Sequence, residues 1–290
     1  MIRHALIFLM LLPWYQAMST YGQASIRDLP SITYTPADSS EIVNLLKNDN
    51  PTILSIAQHF IGRPYVAHTL EVNDEERLVI NTRQLDCTTL IENVTALALC
   101  ISQDKHTFAD FTDMLTMLRY RQGRIDRYPS RLHYFSDWIE DNTQMGFVRE
   151  IQKYVPPFTA IQQLKINYMS KHPNAYTALK EHPEFIQEIV EQERTLTGRH
   201  YRYIPKSKVD SPSLRSYIED GDIIAITCKK PGLDIAHLGF AVWQKDGLHL
   251  LNASQLHKKV VIEPMTLGQY LSKHPSHTGI RIIRIITNKN

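Results

Sequence analysis

The chain has 290 residues, with 32 Lys and Arg against 30 Asp and Glu and a net charge of +2. That near balance leaves no basic footprint for nucleic acid, which is therefore excluded as a partner. Three cysteines, Cys87, Cys100 and Cys228, are too few for a disulfide framework, and their odd number leaves at least one free thiol.

Residues 1–24 read as an export signal. Arg3 and His4 form a basic start, Ala5 to Leu12 an apolar core, and Gly22-Gln23-Ala24 a small-x-small cleavage site. The apolar run is too short to span a bilayer, so the mature chain is expected to carry no transmembrane segment. Residues 25–40 are polar and irregular and read as a leading arm. Over 41–61, Ile42, Leu45, Leu46, Ile53, Ile56, Ala57 and Phe60 keep a helical period. Asn50-Pro51 divides that run into two helices, with Pro51 in the first turn of the second. Gly62-Arg63-Pro64-Tyr65 then breaks the pattern, and Leu78-Val79-Ile80 is extended.

Leu85-Asp86-Cys87-Thr88-Thr89-Leu90-Ile91-Glu92 places a cysteine where a loop turns into a helix. Beyond it Leu90, Ile91, Val94, Leu97, Ala98 and Ile101 recur at spacings of three and four. Asp86 suits the N-cap, and Thr89 with Glu92 has capping-box spacing. A thiol at a helix N-terminus feels the positive end of the macrodipole, which favours thiolate. Cys100, inside the apolar helix, and Cys228, ending an apolar strand, read as small core residues.

From about 104 to 205 the pattern is mostly helical, with Phe108 to Arg121, Ser130 to Asp141 and Asn174 to Thr195 as helices, the last interrupted near Pro183. After Asp220-Gly221 five short runs rich in β-branched residues follow: Ile223 to Cys228, His237 to Gln244, His249 to Ser254, Lys259 to Glu263 and Ile280 to Thr287. Helices first and an antiparallel sheet afterwards make an α+β layout.

On the second of these strands Leu238, Phe240 and Val242 take one face, and His237, Gly239, Ala241 and Trp243 the other. The small Gly239 and Ala241 invite the cysteine helix onto the histidine's side. A hairpin folded about Asp246-Gly247 sets Asn252 opposite Ala241, on the face of His237 but displaced along the strand. Cys87 as nucleophile, His237 as proton carrier and Asn252 as the group that orients its ring make a cysteine hydrolase of amide bonds the leading reading. There is no metal motif, phosphate loop or dinucleotide fingerprint, so no metal and no cofactor is expected. His172, His182, His200, His257, His274 and His277 lie in polar segments and read as solvated.

Four segments together resemble the NlpC/p60 superfamily of papain-like cell-wall cysteine hydrolases: Gly62-Arg63-Pro64-Tyr65-Val66, Leu85-Asp86-Cys87-Thr88, Gly221-Asp222-Ile223-Ile224 with His237-Leu238-Gly239-Phe240, and Leu251-Asn252-Ala253-Ser254. The chain is more similar still to an N-acetylmuramoyl-L-alanine amidase-like branch found in Bacteroidetes, which has an insert like Ser130 to Ile139 and an Asn-Ala-Ser like 252–254. The resemblance implies a papain-like domain over 41–290 with a helical insertion at about 104–205. It also implies hydrolysis of the amide between N-acetylmuramic acid and L-alanine in peptidoglycan fragments, by an exported, periplasmic monomer. Asn252 departs from the commoner histidine, and no Gly-Gly follows Tyr65. A γ-D-glutamyl–diamino acid endopeptidase, a catalytically silent muropeptide-binding module and a zinc amidase are the rival readings.

In the superfamily position Tyr65 donates a hydrogen bond near the oxyanion, or packs on the cysteine helix. Asp86 caps the helix or binds a polar substrate group. Arg131, His133, Tyr134 and Trp138 suit the carboxylates and sugar faces of muropeptides, or else pack the insertion.

Overall fold

A computed structural model describes residues 32–151 and 160–287. The expected signal segment and the first part of the leading arm lie outside the described residues. From Ile32 on the arm belongs to the domain: Thr33 pairs with the 78–80 segment, its N–H donating to the Leu78 carbonyl at 2.9 Å and its carbonyl accepting from Ile80 at 2.9 Å.

Helix α1 (Pro36–Leu46) starts inside the expected arm because Thr35 caps it and Asp38 closes the capping box. Asp38 has no solvent exposure. It accepts from the Thr35 N–H at 2.9 Å, from both the N–H and hydroxyl of Thr82 at 3.0 Å and from Arg83 at 3.2 Å. Burial by itself would raise this carboxyl, but these donors outweigh it and hold it down at about 2, against an ordinary 3.8. Its contribution to stability is therefore full above about pH 4 and is lost as the pH falls toward 2. The stability gap between the wild type and Asp38→Asn, followed by thermal unfolding, is expected to close over that interval.

Helix α2 (Ile53–His59) is capped by Thr52, so Pro51 precedes the cap instead of occupying the first turn. Helix α3 (Cys87–Ser102) carries Cys87 at its first position. Its capping box joins Asp86 to Thr89, with the Thr89 N–H donating to the Asp86 carboxylate at 2.8 Å. Glu92, the expected box partner, is turned into the core.

Helices α4 (Phe108–Arg119) and α5 (Phe135–Gln144) open the region that the sequence marks as an insertion. They pack into the same core as α1 to α3 and are part of the domain. Helix α5 begins at Phe135 and not at Ser130, which ends a 3₁₀ turn. The carboxylate of Asp234, 98 residues away, accepts the Ser136 N–H at 2.7 Å and so supplies a cap from outside the helix.

Strands β1 (Val148–Glu150) and β2 (Ala160–Gln163), helices α6 (Tyr168–Lys171), α7 (Thr177–Glu181) and α8 (Phe185–Leu196), and strand β3 (His200–Pro205) complete the region. Pro183 separates α7 from α8, as the sequence suggests. A satellite core that includes Tyr128, Tyr134, Ile166, Leu179 and Ile189 lies under these helices. The region is therefore mixed, and its strands widen the sheet.

The C-terminal strands are β4 (Ile223–Cys228), β5 (Ile235–Gln244), β6 (Gly247–Ser254), β7 (Lys259–Ile262) and, after helix α9 (Leu267–Ser272), β8 (His277–Ile285). All pairings are antiparallel, in the order β2-β3-β8-β4-β5-β6-β7, with β1 also on β8. The described sheet has eight strands, not five. Leu238, Phe240, Val242, Leu251 and Ala253 face the core under α1 to α5. Ile224, Ile226, Ala241 and Leu250 face a second core that includes Leu267 and Leu271 of α9. Covered on both faces, β4 is apolar or small almost throughout and fully buried.

Candidate active site

The cysteine helix packs on the Leu238/Phe240 face of β5, opposite to the face expected. Gly239 is needed for a different neighbour: a Cβ there would meet the Leu251 carbonyl oxygen at 2.6 Å and Leu250 Cδ1 at 2.7 Å, both on β6. The thiol of Cys87 meets β5 at the main chain, where the N–H of Leu238, like Thr88 and its own N–H, favours its ionised form. Burial, with the Asp86 carboxylate adding to it, pushes this thiol up to about 12 and outweighs those donors. The macrodipole argument for a resting thiolate is therefore overruled by desolvation, and the resting group is the thiol.

His237 and Asn252 come together. The β5–β6 register pairs Gln244 with Gly247 and Phe240 with Leu251, so the two-residue turn is Lys245-Asp246. That is one position earlier than the hairpin read from the sequence. It slides Asn252 two residues toward His237, because moving a turn by one shifts the pairing by two. The His237 Nε2 to Asn252 Oδ1 distance is 2.9 Å.

The amide's direction is fixed. Asn252 Nδ2 donates to the Leu250 carbonyl at 3.3 Å and to Glu263 Oε1 at 3.1 Å, and both partners are acceptors. Oδ1 is thus the atom presented to the ring, His237 Nε2 carries the proton, and Nδ1 is left as the free base. Burial lowers the His237 pKa, against the raising influence of Asn252 and Glu263, so the imidazole rests neutral at pH 7.

Tyr65 is joined by an isolated bridge to Leu85, two residues before Cys87. Burial and the neighbouring Cys87 and Asp86 push its phenol up to about 12, so it stays a donor. Asp86 is committed to the cap.

The other four residues singled out are held by internal partners. Arg131 forms a forked pair with Glu76 at 2.8 and 2.7 Å and lies over the Tyr128 ring, 5.1 Å from its centre. The half-buried ring of His133 donates from Nε2 to the Tyr128 carbonyl at 2.9 Å, and burial, then Arg131, lowers it to about 3. Tyr134 donates to Glu193 at 2.7 Å and accepts the Met169 N–H at 2.9 Å. Trp138 has no exposure and stacks on Phe135. All four thus have internal partners that pack this region against the rest of the domain. With Tyr120, Arg131 holds Glu76, in the segment between Tyr65 and Cys87.

Five further residues frame the site. Tyr270, His274 and His277 line a pocket of about 440 Å³ with His237 on its wall. The rings of His274 and His277 stack at 4.7 Å. Burial, then His274 and His237, lowers His277 to about 4. Glu263 holds Asn252, and His257 bonds Glu263. Three of these histidines read as solvated in the sequence. The Asn252 register is the clue that points to them, and it exists only once the strands are paired. Among the described residues no group of three or more His, Cys, Asp or Glu is placed to hold a metal ion. No described helix is long and apolar enough to cross a membrane.

A helical layer on an antiparallel sheet, with a helix-start thiol packed against the core side of the strand that carries a histidine held by a buried carboxamide, defines the class: an α+β protein. A family model described as AmiA-like, N-acetylmuramoyl-L-alanine amidase-like, matches residues 55–280, and the chain belongs to that family. Among solved structures it is similar to an N-acetylmuramoyl-L-alanine amidase from Bacteroides uniformis, with 41% identity and a TM-score of 0.75 over 81% of this chain and 97% of that one. A Bacteroides fragilis protein provisionally described as a xylanase matches at 42% identity and a TM-score of 0.75, over 80% of this chain and 100% of that one. A Legionella pneumophila protein of the DUF1460 family matches at 25% and 0.66, over 86% and 94%. No curated protein matches the chain.

Proposed function

We propose that this protein is an exported, periplasmic cysteine amidase of the papain-like NlpC/p60 type, which hydrolyses the amide between N-acetylmuramic acid and L-alanine in peptidoglycan fragments. The observation that carries the reading is the His237–Asn252 pair, with its free Nδ1, next to Leu238, whose main chain lies by the Cys87 thiol. Family membership and the Bacteroides uniformis amidase supply the substrate class.

In this mechanism His237 Nδ1 takes the Cys87 proton as the sulfur attacks the lactyl carbonyl. The Cys87 N–H, one of the orphan donors of a helix start, and the Tyr65 hydroxyl stabilise the oxyanion. The imidazolium returns its proton to the L-alanine nitrogen, the peptide leaves and a thioester remains. Water, deprotonated by His237, then cleaves the thioester to the lactyl carboxylate and regenerates the thiol. The pocket lined by Tyr270, His274 and His277 receives the substrate beside the base.

A glycosidase, as the provisional xylanase description would have it, requires two carboxyl groups flanking the bond. Here Asp86 is tied to its cap and Glu263 has no exposure. Mass spectrometry of defined muropeptides, including an anhydro-sugar tripeptide, tests the reading. Free intact stem peptide is expected, with chelators having no effect. An L-Ala-D-Glu fragment would assign the γ-D-glutamyl–diamino acid cut instead. Binding without turnover would assign a silent module, and loss of activity to a chelator a zinc amidase.

A further inference from the structure

We propose that Glu263 is a positioning residue of this site: it locks the Asn252 amide toward His237 and sets the basicity of the ring from behind. The proposal rests on the amidase reading for its kinetic consequence but not for its structural one. Glu263 lies just past β7, without solvent exposure. Its Oε1 accepts from Asn252 Nδ2 at 3.1 Å, and its Oε2 faces His257 Nε2 at 3.1 Å. Its main chain is pinned too, with the N–H donating to the Leu250 carbonyl at 2.9 Å and the carbonyl accepting from His249 Nδ1 at 2.8 Å. A carboxylate cannot donate, so an Asn252 amide turned end for end would set oxygen against oxygen and leave a buried charge without its donor. The lock therefore works through the acceptor-only chemistry of the carboxylate.

Glu263 also acts through its charge. The groups that face His237 are Asn252 from β6, Glu263 past β7, His274 after α9, His277 of β8 and Asp86 at the start of α3. Glu263 and Asp86 favour the imidazolium, and the two histidines oppose it. Asp86 also raises the thiol, so its charge works against one partner of the proton transfer while it helps the other. Glu263 reaches the ring through one carboxamide. His257 is about one-third exposed at its side chain and closes the chain of contacts on the solvent side.

The test is the titration of His237, read by NMR on histidine-labelled protein and assigned with His237→Gln, beside the pH–rate profile. In Glu263→Gln the ring is expected to titrate about one pH unit lower, with kcat down about tenfold and KM little changed. An unchanged or higher His237 titration in a folded Glu263→Gln protein overturns the proposal. Glu263→Asp keeps the charge but withdraws it from Asn252, and it carries the test if the glutamine variant does not fold. A lower His237 titration is expected there too, and a wild-type value overturns the proposal. The NMR readout does not need a substrate, so failure of the amidase reading, seen as no muropeptide cleavage by wild type, is told apart from failure of this one.

Discussion

Cys87→Ala is expected to remove muropeptide cleavage by about 10⁴-fold or more while the protein stays folded. The size follows from what the thiol alone supplies. Neither titratable neighbour replaces it: the Tyr65 phenol is held up at about 12 by burial, and Asp86 is spent on its cap. The cost in stability is small, about 1 kcal/mol, because the substitution deletes one atom from a half-buried side chain. Product formation by mass spectrometry and thermal unfolding, run on the same preparation, check both halves. Full activity in the variant would remove the cysteine from the mechanism. A companion result follows from the resting thiol, which burial pushes up to about 12. Alkylation of wild type near pH 7 is expected to depend on His237 to accept the proton, and to slow in His237→Ala.

The second large effect is on stability. Arg119 and Glu92 are each 2% exposed and meet at 2.7 Å, and Arg119 also donates to the Val79 carbonyl at 2.6 Å. Burial raises the Glu92 carboxyl, and Arg119 opposes that rise. Arg119→Met is expected to cost about 3–5 kcal/mol, since it leaves a carboxylate in the core without its cation and a carbonyl without its donor. The double variant Arg119→Met/Glu92→Leu is expected to recover most of that loss, because removing both charges also removes their desolvation. Urea unfolding of the two variants decides it. A loss under 1 kcal/mol in the single variant would show that water reaches the pair. The pair lies close to the candidate site: Glu92 is one to two turns from Cys87 on α3, and Val79 pairs with Thr33 in the segment ahead of Cys87.

Local chemistry was legible in the sequence wherever neighbours along the chain decide the outcome. Asp86 and Cys87 stand at a helix start because a short acidic side chain caps the N–H of the third residue after it, Thr89. The runs of β4 to β8 are strands because alternation and β-branching suit a covered, pleated surface. Parity alone put His237 and Asn252 on one face of the sheet. Tertiary structure decided what depends on residues far apart in the chain. The hairpin turn falls at Lys245-Asp246 and brings Asn252 within reach of the ring, a register that sets Gly239 close against Leu250 and Leu251. Asp234 caps α5 from 98 residues away, so the helix begins at Phe135. Arg131 and Tyr134 are turned inward by Glu76 and Glu193, partners no spacing rule could pair with them. The state of the Cys87 thiol follows the same division: the helix start argues for a thiolate, and burial, which only the folded chain creates, holds it as a thiol.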